Sequence, residues 1–281
     1  MRALIKLLIL FAVLAHFEFA HANPDAIPFK KIMVVYFENH DSKDVLKQPG
    51  FVKFASLGTL LTNFSAITHP SQPNYIAAIA GSTMGVTDNE NIDLDGKHIG
   101  DLLEAHGKTW KVYAEGFMGN CDPTASVGAY VRSHVPFLSF LNITQNPERC
   151  RQHVVPATQF AIDLENNQLP SYSMYIPDKN NNGHDKGIAF ANRYFVRTFM
   201  PLMKDPNFTN EMLFVVTFDE GYSDGDNRIY TALVGPGIKP GGRSASPYDH
   251  YSLLRTIEDV FGLGNLGRND AKAQPIREVL R

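Results

Sequence analysis

The sequence predicts an α/β protein, a three-layer αβα sandwich around a mostly parallel central sheet. Strand-like runs alternate with helical segments along the chain, which is typical of a parallel sheet covered by helices on both faces. Runs such as MLFVVTF, at 212–218, are apolar at every position rather than at alternate ones, as expected of strands buried on both faces. The chain has 281 residues, 44% hydrophobic and 20% charged, which is enough for a sizeable core.

The first segment has the features of a secretory signal peptide over residues 1–22. Arg2 and Lys6 stand at the start of the apolar run LLILFAVLAHF, and Ala-His-Ala precedes Asn23, as at a signal-peptidase site. The run is shorter than the roughly 20 residues that a helix needs to cross a bilayer. A buried N-terminal helix is the alternative. The charged start and small-residue exit favour cleavage near Asn23 and export to a secreted, periplasmic or other extracytoplasmic location.

After the predicted signal peptide, predicted strands and helices alternate along the chain. The predicted strands span 31–37, 109–115, 172–176, 212–218 and 229–235, and the predicted helices span 51–61, 73–80, 98–106, 157–166, 187–203 and 250–261. No repeat, low-complexity tract or linker divides the series. We therefore expect a single domain over 23–281.

Two cysteines suit an exported chain. Cys121 and Cys150 are separated by loop-like residues, so one disulfide is the economical interpretation, with two unpaired thiols as the alternative. Such a disulfide would pin an insertion at about 116–155 and stabilise the fold by about 3–4 kcal/mol. Asn-x-Ser/Thr sequons stand at Asn63, Asn142 and Asn207, and they are glycan acceptors if the host is eukaryotic.

The charge pattern excludes one class of partner. The formal net charge is −3, with Lys and Arg scattered along the chain, so no basic face is predicted for the phosphate backbone of a nucleic acid. After the N-terminal segment, no stretch is apolar and long enough to cross a membrane. We expect neither nucleic acid as a structural partner nor stable membrane insertion.

Acidic and amide side chains follow three predicted strands directly. Glu38 and Asn39 end the first strand, Asp178 follows YSMYIP, and Asp219 and Glu220 follow MLFVVTF. Taken singly, each acid is a common cap or turn residue. In a parallel sheet, however, the carboxyl ends of strands meet at one edge. Carboxylates that close repel one another unless a cation lies between them, so the pattern predicts a divalent metal.

Two histidines and a serine complete the set. His184 lies in a Gly- and Asn-rich loop, and His250 lies at the predicted start of an amphipathic helix; alone, each is more often a structural residue. Ser71 precedes QPNYIAAIAG, where Pro73 suits the first turn of a helix. Ser71 is therefore either an N-cap or a hydroxyl at the positive end of a helix, which favours an ionised oxygen or a bound phosphate.

These residues carry a resemblance to a known family. FENH, THPSQPNYIAAIAGS, PDKNNNGHD, FDEGYSDGDNRIYTALVGPGI and YDHYSLLRTIEDVFGLG, in that order, resemble the bacterial and fungal phosphoesterase family. That family includes secreted acid phosphatases and phosphatidylcholine-preferring phospholipases C, within the alkaline-phosphatase-like superfamily. The resemblance spans about residues 30–262 as an ordered series, which is more specific than any single short motif.

The resemblance implies roles for individual residues. A divalent metal would be held by Glu38, Asn39, Asp219 and Glu220, with Ser71 as the nucleophile on the same ion. A second metal or the substrate phosphoryl group would be bound by Asp178, His184, Asp185 and His250, so that Ser71, His184 and His250 would be catalytic. Asn182 stands where the family often has Asp, which leaves Asp178 or Asp185 to take that role. His40 and His69 flank the site in sequence and match no clear family role, so they are candidates for supporting residues only.

The resemblance further implies hydrolysis of a small phosphoric monoester through a phosphoserine intermediate. The nearest alternative is a phosphodiesterase or phospholipase C acting on lipid headgroups. A non-catalytic calcium- or carbohydrate-binding module is an alternative of another class, because DEGYSDGDN looks like a calcium loop, although it lacks EF-hand spacing. No Gly-x-Ser-x-Gly motif is present, which disfavours an α/β-hydrolase.

Overall fold

The computed structural model of the chain describes residues 27–123, 126–222 and 225–280. The predicted signal peptide lies outside the described residues. Among the helices in these ranges, none combines the length and the apolar character required to span a bilayer.

The elements of the described ranges run in the following order. The strands are β1 (Lys31–Phe37), β2 (Thr59–Leu61), β3 (Phe64–Ser65), β4 (Trp110–Ala114), β5 (Ser126–Val127), β6 (Tyr130–Val131), β7 (Val154–Pro156), β8 (Tyr172–Ile176), β9 (Met212–Phe218), β10 (Thr231–Val234), β11 (Gly242–Ser244) and β12 (Tyr248–Asp249). The α-helices are α1 (Ser42–Val45), α2 (Pro49–Leu57), α3 (Ser71–Ala80), α4 (Ile99–Ala105), α5 (Leu141–Thr144), α6 (Pro147–His153), α7 (Thr158–Glu165), α8 (Ile188–Thr198), α9 (Pro206–Thr209) and α10 (His250–Phe261). Short 3-10 helices span Arg132–His134, Pro136–Ser139, Met200–Lys204 and Asn269–Ala271.

Eight of these strands form one mixed, mostly parallel sheet in the order β11-β2-β10-β9-β1-β8-β4-β7. The five consecutive strands β9, β1, β8, β4 and β7 are parallel to one another. The next strand, β10, is antiparallel to both of its neighbours, β2 and β9. At the centre, β1 pairs with β9 so that Phe37 stands beside Phe218. The predicted α/β architecture is confirmed.

Helices cover both faces of this sheet. Tyr36 packs against Tyr75 of α3 and His250 of α10, with ring centroids 5.6 and 6.0 Å apart, whereas Phe37 packs against Phe51 of α2 at 5.2 Å. Successive side chains of a strand point to opposite faces. Therefore α3 and α10 cover one face and α2 covers the other, and both faces of β1 are buried, as its unbroken apolar run predicts.

Some predicted bounds differ from the structure. The helix predicted over 51–61 ends at Leu57, and residues 59–61 form β2 instead. The break comes at Gly58, where any Cβ would clash with the backbone carbonyl of Leu233 in β10. The helix predicted over 187–203 ends at Thr198 and continues as a 3-10 helix. The short strands β7 and β11 carried no recognisable signal.

A disulfide joins Cys121 and Cys150, with their Cα atoms 6.0 Å apart, as predicted. The segment predicted as an insertion, 116–155, contains the β5–β6 hairpin, α5 and α6. Its last residues already belong to β7, which extends the main sheet at its edge. This segment is therefore tied to the sheet by strand pairing at β7, and the disulfide joins two distant parts of the segment to each other.

Candidate active site

The centre of the candidate site is formed by the residues that follow β1 and β9. The two strands are adjacent and in register, and the amide of Asp219 donates to the carbonyl of Phe37 at 3.0 Å. The amide of Asn39 in turn donates to Oδ1 of Asp219 at 3.2 Å. Strand pairing thus brings Glu38 and Asn39 beside Asp219 and Glu220, at the carboxyl edge of the sheet.

Ser71 reaches the same place from the start of α3. Its hydroxyl donates to Oε1 of Glu220 at 2.8 Å and lies 3.3 Å from Oδ1 of Asn39. The N-cap position belongs to Pro70, and no side chain caps the helix, so the interpretation of Ser71 as an N-cap is wrong. The preceding loop is held by Asn74, which accepts from two backbone amides and donates to two carbonyls.

The three acids at this edge are buried. Glu38 and Asp219 are 0% exposed and Glu220 is 2% exposed. Burial, followed by the charges of Glu38 and Glu220, raises the pKa of Asp219 well above its usual range. Burial and the charge of Glu38 likewise raise the pKa of Glu220, although the hydrogen bond from Ser71 opposes this. The cluster is therefore an unfavourable arrangement of like charges unless a proton or a cation is present.

Two donors to Glu38 were not predicted from the sequence. The hydroxyl of Tyr75 donates to Oε1 of Glu38 at 2.8 Å, and Nδ1 of His134 lies 2.9 Å from the same oxygen. The two rings stack with centroids 5.4 Å apart. Tyr75 follows Ser71 by four positions, one helical turn, which is a signal that would have placed it near the site. His134 comes from the insertion, and nothing in its sequence context marked it.

His69 and His250 also contact the acidic residues. Nδ1 of His69 lies 2.5 Å from Oε2 of Glu220, which supports its predicted place beside the site. His250 begins α10, as predicted, and Asp249 caps this helix. Nε2 of His250 donates to the backbone carbonyl of Asp219 at 2.7 Å. Burial lowers the pKa of His250, which favours its neutral form. Its Nδ1 is buried and has no partner in the described part of the chain.

The loop over 178–185 lies next to this cluster, but its acidic side chains hydrogen-bond mainly within the loop. Oδ1 of Asp178 accepts from the amides of Asn180 and Asn181, both at 3.0 Å, which is a turn-forming role. Asp185 contacts its neighbour His184 at 2.7 Å, and both side chains are exposed.

The loop nevertheless reaches the centre of the site at two points. The amide of Glu38 donates to the carbonyl of Asn182 at 3.0 Å, and Nε2 of His40 lies 3.2 Å from the carbonyl of Gly183. The ring of His184 is 6.4 Å from that of His134. Burial lowers the pKa of His40. Of the loop side chains, His184 is thus the one placed toward the acidic cluster.

The donor set fits a divalent cation in its chemistry. Oε2 of Glu38 and Oδ2 of Asp219 are buried with no hydrogen-bond partner among the described residues, and the amide oxygen of Asn39 lies nearby. Carboxylate and amide oxygens are ligands for hard divalent cations. In the described ranges, no group of three or more His, Cys, Asp or Glu side chains has ready-made metal geometry.

Comparison with known proteins relates this arrangement to phosphoesterases. A sequence profile of the phosphoesterase family matches residues 46–264. The chain is 35% identical to an acid phosphatase of Aspergillus fumigatus, over 92% of this chain and 60% of that protein. It is 33% identical to a phosphate-repressible acid phosphatase of Penicillium chrysogenum, over 92% and 65%. The chain thus spans less than two thirds of these two fungal proteins.

A bacterial relative is covered more fully. The chain is 31% identical to a phosphatidylinositol-3-phosphatase of Mycobacterium tuberculosis, over 90% of this chain and 84% of that protein. Among solved structures, an alkaline phosphatase superfamily protein from Vibrio parahaemolyticus superposes with a TM-score of 0.59 at 12% identity, over 89% of this chain and 72% of that chain. A phosphonate monoester hydrolase from Silicibacter pomeroyi gives 0.58 at 11%, over 89% and 76%. These structures share the fold.

Proposed function

Since the chain belongs to the phosphoesterase family, we propose that it is a secreted, metal-dependent hydrolase of phosphoric monoesters, an acid phosphatase in which Ser71 is the nucleophile. The observation that carries the proposal is the contact of the Ser71 hydroxyl with Glu220 and Asn39 at the start of α3. A hydroxyl beside a carboxylate acceptor and a helix N-terminus has the parts needed to attack phosphorus. The relatives named as acid phosphatases support the same chemistry.

The cation-binding residues would be Glu38, Asn39, Asp219 and Glu220. A divalent ion bound there would neutralise the buried carboxylates and favour the ionised form of the nearby hydroxyl. The unpartnered buried oxygens of Glu38 and Asp219 support this assignment.

The chain's own residues would carry the proton and the phosphoryl group. Ser71 would attack phosphorus in line as its proton passes to Glu220, the carboxylate that accepts its hydrogen bond. The bond from phosphorus to the leaving oxygen would break, and that oxygen would leave as the alcohol after taking up a proton. Water would then attack the phosphoserine, releasing phosphate and restoring the hydroxyl of Ser71.

Positive groups around the phosphoryl oxygens would stabilise the transition state. The positive end of the α3 dipole beside Ser71, Asn39 and the exposed His184 are the candidates. A phosphate site that uses a cationic histidine would place the activity optimum on the acidic side. His250 is a weaker candidate for a cation because burial lowers its pKa.

A panel of esters tests the proposal. We expect the mature chain, loaded with a divalent ion, to hydrolyse 4-nitrophenyl phosphate much faster than bis(4-nitrophenyl) phosphate, with faster turnover at pH 5 than at pH 8. Faster turnover of the diester would favour the phosphodiesterase or phospholipase alternative. No turnover of either ester by folded, metal-loaded protein would overturn the proposal. The bacterial relative named as a phosphatidylinositol-3-phosphatase makes a lipid headgroup monoester a second substrate to include.

Export is part of the same proposal. It is supported by the leader-like sequence over 1–22 and by a disulfide, which is typical of oxidising compartments. N-terminal sequencing of the protein recovered from the culture medium or periplasm should give Asn23 or a residue close to it. Retention of the full leader on a cytoplasmic protein would contradict export.

A further inference from the structure

A cavity of about 610 Å³ opens at the carboxyl ends of β4 and β8, on the same sheet edge as Ser71 and Glu38. Its walls are formed chiefly by Glu115, Phe117, Met118, Thr158, Tyr175 and Asp178. None of the residues that the described structure places in its lining is Lys or Arg. The lining described by the structure is therefore partly apolar and includes two carboxylates and no Lys or Arg side chain.

Its position follows from the order of the strands. β8 lies between β1 and β4, and neighbouring strands are about 4.8 Å apart, so the end of β4 is about 10 Å from the end of β1. The 178–185 loop connects the two places. Asp178 and Asn181 line the cavity, and the carbonyl of Asn182 accepts from the amide of Glu38 at 3.0 Å. The separation of the two strand ends is within reach of the alcohol part of an ester whose phosphorus lies at Ser71.

Hydrogen bonds hold the carboxylate of Glu115 in the wall of the cavity. Its Oε1 accepts from Tyr194 at 2.7 Å and lies 3.4 Å from the hydroxyl of Tyr175. Its Oε2 accepts from the amide of Asp178 at 3.0 Å and from Nδ2 of Asn181 at 2.9 Å. These four donors hold the carboxylate of Glu115 in place. Its negative charge would repel an anion that entered the cavity.

We propose that this cavity is the subsite for the alcohol part of the ester, and that it selects apolar, uncharged leaving groups over anionic ones. The inference rests on the proposed function and adds a substrate class to it. Phe117, Met118 and Tyr175 supply apolar contact for an aryl or branched alkyl group. Glu115 and Asp178 disfavour a second phosphate or a carboxylate on that group.

Met118 provides the test because its side chain is 73% exposed and can be changed without disturbing the core. We would measure kcat/KM for phenyl phosphate and for 4-carboxyphenyl phosphate, and compare their ratio between proteins. Met118→Lys should shift the ratio toward the carboxylated ester by about two- to fivefold, and Met118→Glu should shift it the other way. The ratio cancels any effect of the substitution on the shared phosphoryl group.

Val52→Lys is the matched control, since Val52 is also an exposed apolar residue but lies on α2 and outside the cavity. It should leave the ratio unchanged. The subsite is overturned if the two Met118 variants fail to move the ratio in opposite directions, or move it no more than Val52→Lys does. The proposed function fails differently, by the wild-type protein turning over neither ester.

Discussion

Ser71 and Glu220 are 149 positions apart in the chain, yet the hydroxyl of one donates to the carboxylate of the other at 2.8 Å. The contact joins the start of α3 to the residues after β9. It gives the hydroxyl of Ser71 a fixed direction toward a carboxylate whose pKa is raised by burial.

Ser71→Ala should reduce kcat by at least about 10³-fold, because the proposed attacking oxygen is removed. The steady-state hydrolysis of 4-nitrophenyl phosphate by metal-loaded protein measures this. Ser173→Ala is the control, since Ser173 is a buried serine of β8 whose hydroxyl has no partner among the described residues. That variant should keep its activity. An alanine variant at position 71 with normal kcat would remove this residue from the mechanism.

Asp219→Asn should lower both metal content and activity, since it removes one buried charge from the proposed cation site. The metal-free variant should also be more stable than metal-free wild-type protein at pH 7, because the charges that raise the pKa of Asp219 no longer face a carboxylate. Elemental analysis and thermal unfolding measure the two effects. Asp178→Asn should retain metal, since the Asp178 carboxylate serves its own turn. Full metal occupancy in Asp219→Asn would contradict its role as a ligand.

Tyr75→Phe should weaken divalent metal binding by about tenfold, because Glu38 loses a donor that orients its carboxylate. The free energy of unfolding should fall by about 1–2 kcal/mol. Tyr113→Phe is a close match, since the buried Tyr113 hydroxyl donates to Asp163 at 2.6 Å, outside the site. It should have a similar stability cost and unchanged metal affinity. Equal metal affinities in both variants would show that Tyr75 has only a packing role.

Chelation should silence the enzyme, and adding back a divalent ion should restore it. Binding at about 100 times the dissociation constant stabilises a native protein by about 2.7 kcal/mol, so the midpoint of thermal unfolding should rise on reloading. Activity and unfolding are measured on the same samples. Full activity after prolonged dialysis against chelator, with no response to any divalent ion, would argue against metal dependence.

Glu258→Gln should change how stability depends on pH. Burial, and next the charge of Asp270, raises the pKa of Glu258 to about 9 from an ordinary 4.5. The folded chain therefore binds this proton more tightly than the unfolded chain. The resulting stability is complete below pH 4.5 and is lost as the pH rises toward about 9.

A glutamine at this position stays neutral at every pH. Relative to wild type, Glu258→Gln should gain about 1 kcal/mol or more of stability at pH 8 compared with pH 5. Urea unfolding at the two pH values measures the difference, with Glu165→Gln, an exposed substitution on α7, as control. An identical pH dependence in Glu258→Gln and wild type would rule out the proton on Glu258.

The long central strands were predicted from the sequence more accurately than the short strands and the helix ends beside them. β1, β8 and β9 have the predicted bounds. Strands buried on both faces consist of unbroken apolar runs, so their ends are visible in the sequence. β2 and β7 were missed because a three-residue strand leaves no periodicity to detect. At Gly58, a contact with β10 decides where a helix ends, and such a contact is invisible to local pattern.

In the candidate site, too, features written in the local sequence were predictable and those set by distant contacts were not. Residues directly after strands were predictable, since parallel strand ends meet at one edge and polar residues there stand out from an apolar run. His134 was not predictable, because its contact with Glu38 depends on how the insertion folds back. The turn-forming role of Asp178 could not be separated from a ligand role by sequence, because aspartate suits both.

The open sheet ends in two edge strands, β11 and β7. Unpaired N–H and C=O groups on such edges can recruit strands from other molecules and begin aggregation. Both edges are poor templates. β7 has three residues and finishes at Pro156, which has no N–H to donate, while β11 has three residues and exposes Arg243 at its middle. Because Cys150 sits in α6 just before β7, the disulfide also limits peeling of that edge, so crowding should not readily drive the protein into fibres.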